Sequence, residues 1–83
     1  MTNNLFTYKN KGNNSGIIAR RCGNNFIIVA FKNAKAKDGM VRYKYTKKSV
    51  GFDVLKEMHR LSKEGVGLNS FIGKNRPPFT EKE

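Results

Sequence analysis

Eighty-three residues are enough for one hydrophobic core and leave no room for a second. Seventeen Lys and Arg stand against six Asp and Glu, a formal charge of +11, so the chain repels itself unless a polyanion is near and an anionic partner is implied. No stretch is long and apolar enough to span a bilayer, the start MTNNLFTYKNKGNN lacks the apolar run of a signal peptide, and a single cysteine precludes an internal disulfide, which predicts a cytoplasmic protein without membrane association.

The first punctuation is Gly12-Asn13-Asn14-Ser15-Gly16, which sets residues 1–14 apart as a leader arm or edge strand. Ile17 to Arg21 reads as a strand, and Cys22-Gly23-Asn24-Asn25 turns it directly into Phe26-Ile27-Ile28-Val29-Ala30-Phe31, so the two form a hairpin. The second strand is apolar on both sides, with Phe26 and Ile28 on one and Ile27, Val29 and Phe31 on the other. Its second side needs a cover: the leader, the tail, a partner subunit or flattened bases. Asp38-Gly39 signals the turn into a third strand from Met40 to Thr46. Alternation there puts Val41, Tyr43 and Tyr45 on one face and Arg42, Lys44, Thr46 and Lys48 on the other.

Asp53 is placed to cap a helix whose apolar positions Val54, Leu55, Met58 and Leu61 recur at spacings of three and four, and Gly65 is placed to end it. A helix of about twelve residues is marginal alone, so it must pack on the oily face of the sheet. The predicted fold is α+β: a three-stranded antiparallel sheet, four-stranded if the leader joins, packed on one C-terminal amphipathic helix in the order β-β-β-α. The core domain covers residues 15–64, and 65–83 is a wrapping tail with a mobile end.

Catalysis finds little to work with. There are one His, one Cys, two Asp and four Glu, and His59 on the predicted helix lies far in sequence from Cys22 with no orienting third group. No metal-ligand spacing is present, and Gly65-Val66-Gly67 follows a helix rather than opening one, so it is no phosphate loop. The expectation is a binding protein without cofactor or metal.

Charge is unevenly distributed. Residues 1–52 hold eleven basic side chains against Asp38 alone, whereas 53–83 hold six against five acids. Solubilising surfaces mix both signs, so Arg20, Arg21, Lys32, Lys35, Lys37, Arg42, Lys44, Lys47 and Lys48 form the candidate nucleic-acid contacts, as a single-sign electrostatic footprint. Tyr43 and Tyr45 fall on the helix side and read as core, while Phe31 is either core or a stacking platform. Asn is abundant beside Lys, which points to an AT-rich coding source such as a virus, a phage or a low-GC bacterium.

Gly16-Ile17-Ile18-Ala19-Arg20-Arg21 leading to Phe26, then Asp38-Gly39 and Gly51-Phe52-Asp53-Val54-Leu55-Lys56-Glu57-Met58, resembles the fold of plant ethylene-response-factor DNA-binding domains and of phage integrase arm-binding domains. Gly51, Phe52, Glu57 and Phe26 fit that pattern, while Val54 replaces its Thr and Met58 its small Ala. The resemblance implies a three-stranded sheet entering the major groove of duplex DNA, with Arg20, Arg21, Arg42 and Lys44 as groove and phosphate contacts. A second resemblance, carried by the length of Asn25 to Gly39 and by Lys47-Lys48-Ser49-Val50, is to the positive-cofactor-four type of dimeric single-stranded DNA-binding coactivator. Cys22 and Ala34 stand where that family has its stacking aromatics. Duplex DNA is thus the first expected partner, single-stranded DNA the second and RNA a third. A homodimer is a further expectation, as is an acidic protein partner anchored by Phe71, Ile72 and Phe79.

Overall fold

The computed structural model describes residues 6–7 and 16–82. The elements are β1 (Phe6–Thr7), β2 (Ile17–Cys22), β3 (Phe26–Lys32), β4 (Met40–Thr46), α1 (Lys47–Val50), α2 (Phe52–Glu64), α3 (Leu68–Asn75) and β5 (Glu81–Lys82). The strands form one antiparallel sheet in the order β1-β2-β3-β4-β5. The three long central strands precede the long helix, giving the α+β class and β-β-β-α order that periodicity predicts.

The sheet buries one face against the helices. Ile17, Ile27, Val29 and Tyr45 meet Leu55, Met58 and Leu68 in a single buried cluster, with Phe31, Tyr43, Leu61, Phe71 and Ile72 packed around it. Full burial of such side chains stabilises by roughly 1.5–3 kcal/mol each. It is the reason a 13-residue helix persists here although it would be marginal in isolation.

The structure departs from the expected elements at four places. Asp53 is not the cap of α2. The helix is capped two residues earlier, at Gly51, which at φ 89° bends the chain between α1 and α2, and Asp53 falls in the first turn, where its charge complements the helix dipole. Lys48 is not part of the third strand. Thr46 ends β4 by accepting from the Ser49 backbone N–H while Ser49 accepts from the Thr46 N–H, and this capping box starts α1. The tail contains a second amphipathic element, α3, with Leu68 fully buried, followed by an edge strand that the sequence does not announce. The fourth departure concerns β2. Ile17 pairs with Phe31 but Ala19 with Ala30, so Ile18 is an inserted bulge residue.

That bulge exchanges the two arginines. In a regular strand beginning with Ile17 inward, Arg21 would share its face. After the bulge, Arg20 lies opposite Val29 on the helix side, and Arg21 lies opposite Ile28 on the outer side. The outer-side residues Ile28 and Ala30 are 3% and 0% exposed within the single chain. A second subunit is therefore not needed to bury the apolar second side of β3. By register the stems of Arg21 and Lys44 flank Ile28, and Ala19 and Arg42 flank Ala30. The leader residues 1–5 and 8–15 lie outside the described residues.

Candidate functional site

The outer face of the sheet carries the cations in rows set by strand register. One row runs Arg21, Ile28, Lys44, Glu81; the next runs Ala19, Ala30, Arg42; Lys32 and Met40 form a third. Lys35 and Lys37 are exposed on the 33–39 turn at one end. This turn is tied by Asn33 N–H to the Gly39 carbonyl, and its Asn33 Oδ1 accepts from Lys35 N–H. Lys47 and Lys48 are exposed on α1 at the other end. Seven residues of β4 separate the two ends, roughly 20 Å at strand rise.

Eight of the nine predicted site residues thus share the outer face or its two ends. Arg20 does not, for the reason the bulge supplies. Arg42 is already engaged: its Nη2 donates to Asp38 Oδ2 at 2.5 Å, and that hydrogen bond holds the Asp38 carboxyl below the usual carboxylate range. Among the described residues, no ion pair engages Lys32, Lys35, Lys37, Lys44, Lys47 or Lys48. The antiparallel pairing of β5 brings Glu81 opposite Lys44, an acid that the linear charge count assigns to the far end of the chain.

The surface of α2 is the electrostatic opposite. Arg60 donates to both Glu57 and Glu64, so positive and negative charges cancel there within two helical turns. The hydrogen bond from Arg60 holds Glu57 low, and the two carboxylates raise Arg60.

A shallow cleft of about 590 Å³ lies at the α1 end of the cationic face, lined by Asn25, Phe26, Lys44, Thr46, Lys47 and Lys48. Its walls are joined through the backbone. Lys47 N–H donates to the Asn25 carbonyl, and His59 Nε2, which must carry the proton, donates to the Phe26 carbonyl from the helix side. Ser62 donates its hydroxyl to the His59 carbonyl, so the Cys22 thiol is the donor in its contact with Ser62. His59 and Cys22 thus act as struts between α2 and the β2–β3 hairpin. The Phe26 ring lies over Gly23: a Cβ added there would fall 2.1 Å from the ring, so any side chain would displace it. Lys44 Nζ lies 5.2 Å from the Phe26 ring centroid, and Lys47 Nζ lies 5.7 Å from that of Phe52, which is 59% exposed.

A second concavity, of about 580 Å³, opens on the helix side between Phe31, Val41, Tyr43, Ile72 and Phe79. Phe31 meets Tyr43 edge-on at 5.6 Å and packs against the core. Tyr43 and Tyr45 face the helices as alternation predicts. Phe71 and Ile72 pack against the core too, which leaves only Phe79 of the expected tail anchor substantially exposed.

Counting lysines and arginines missed Phe26 and Phe52 as members of this surface. The signal available was local: a glycine three residues before an aromatic at a strand start, and an aromatic in a Gly-Phe pair beside Lys47-Lys48. Among the described residues, no group of three or more His, Cys, Asp or Glu could hold a metal ion, and no helix is long and apolar enough to cross a membrane. Comparison with family models, with curated proteins and with solved structures finds no match to this chain.

Proposed function

We propose that this protein binds nucleic acid, DNA in the first place, by laying a phosphodiester backbone along the outer face of its sheet. One observation carries the reading. Lys32, Lys35, Lys37, Lys44, Lys47 and Lys48 lie along one face and its ends, and no carboxylate is ion-paired to any of them among the described residues. Ammonium groups held along a single face displace the counterions condensed on a phosphodiester backbone, which supplies affinity without base recognition. Arg21 adds to the same face and Arg42 joins once Asp38 yields it, whereas Arg20 is left out by its register. The role is binding, with no step of bond making or breaking and no cofactor.

An acidic protein partner is the weaker reading, because the apolar anchor it needs is largely spent on the core. The homodimer expected from the two-sided β3 loses its main support, since Ile28 and Ala30 are buried within one chain.

The test is a salt titration of binding to oligonucleotides, followed by fluorescence anisotropy. With all six lysines on phosphate, log K against log salt should fall with a slope of about −4 for a single strand and about −5 for a duplex. Replacing Lys44, Lys47 and Lys48 together with Gln should reduce that slope by about 2 to 3. A slope near zero in the parent protein overturns nucleic-acid binding as the function.

A further inference from the structure

The geometry points to the Phe26 cleft as a base-stacking site, so that single-stranded DNA with unpaired bases, rather than fully paired duplex, is the ligand class; this rests on the nucleic-acid reading above. Phosphates alone would be served by lysines anywhere on the face. Here Lys44 lies over the Phe26 ring, and Lys47 and Lys48 line the same concavity, whose lining contains no acid. A cleft of about 590 Å³ is large enough for a planar ring with its sugar and phosphate, small-molecule sites being roughly 300–1,000 Å³.

Both aromatics are set up for this. The Phe26 ring is packed against Gly23, with its backbone carbonyl held by His59 from the helix side and the neighbouring Asn25 carbonyl held by Lys47 N–H. The anchored backbone limits the further ordering needed to receive a base, which takes the place of the Lys44 ammonium over the ring. Phe52 contributes nothing to the buried cluster, yet stands 59% exposed with the Lys47 ammonium over its ring. Lys47 lines the cleft and also covers Phe52, so one cation links the two aromatic platforms. Every base presents a π-face, so stacking of this kind is tolerant of sequence. In a duplex those faces are occupied by neighbouring base pairs, and only an unpaired base can offer one to Phe26 or Phe52.

The experiment compares an oligothymidylate with an oligomer of equal length and charge in which internal residues are abasic, so that phosphates are kept and stacking partners removed. The parent protein should bind the abasic strand roughly five- to 150-fold more weakly for each base that stacks. Phe52→Ala, at an exposed position, and Phe26→Leu, which keeps apolar bulk but not the flat face, should each shrink that difference, with circular dichroism and thermal melting confirming the fold. If Phe26→Leu does not fold, Phe52→Ala alone carries the test. Equal affinity of the parent for intact and abasic strands overturns the stacking site, while a steep salt slope in the same experiment still upholds phosphate binding. A flat salt slope sinks both.

Discussion

The two faces of this sheet are built from the same strands, and they divide labour by alternation. Toward the helices, Ile27, Val29, Tyr45 and their partners Leu55 and Met58 are closed off from water and supply cohesion. Toward the outside, residues one position along the same strands include Arg21, Lys32, Arg42 and Lys44 beside the buried Ile28 and Ala30, and this side carries the charge. The contrast shows how an 83-residue chain can afford so one-sided a charge. The repulsion lies on the face that contributes least to burial, and the helix surface, where Arg60 answers Glu57 and Glu64, stays near neutral.

The strongest way to break this division is to cut into the cohesive side. Met58→Ala, at a fully buried position, should cost roughly 2–5 kcal/mol, read from urea denaturation. The salt slope of nucleic-acid binding by the folded fraction should stay where it was; a change in slope would mean that the faces are not independent.

Alkaline pH attacks the same side more gently. Burial, with a smaller push from Tyr43, raises the Tyr45 phenol from 10.0 to about 12. A pKa raised on folding means that the neutral phenol's contribution is fully present below about pH 10 and is lost as pH rises through the folded value. Stability measured by denaturant titration should therefore fall between about pH 10 and about pH 12, and Tyr45→Phe should flatten that limb. An unchanged alkaline limb in the variant would assign the loss elsewhere.

The smallest expected effect sharpens the outer side. Asp38→Asn removes the charge that occupies Arg42, so binding should tighten and the salt slope steepen by at most about one. Stability should barely move, since the Asp38 carboxylate is exposed to solvent. An unaltered slope would show that Arg42 does not reach phosphate even when released.

Most of the architecture was legible from side-chain period. The 180° alternation of Met40 to Thr46 and the three-four spacing of Val54, Leu55, Met58 and Leu61 each report which side of an element meets the core, because one face of each must leave water. Gly65 was legible as well, and it ends α2 in the left-handed region. What escaped was anything that depends on pairing. Glu81 looks remote from the basic half until β5 lays it beside Lys44. Phe26 and Phe52 look like ordinary apolar residues until the hairpin turn and α1 bring lysines over both rings.

The order of residues by itself determined that one strand face would be oily and the other cationic, that a helix would cover the oily side, and that the positive charge would belong to the first half of the chain. Only the tertiary structure decided which cations share that face. A single inserted residue at Ile18 reverses the alternation of β2, sending Arg21 outward and Arg20 inward. Period-two reasoning carries no memory of such a slip, because a bulge is chosen by how two strands meet and not by either strand alone.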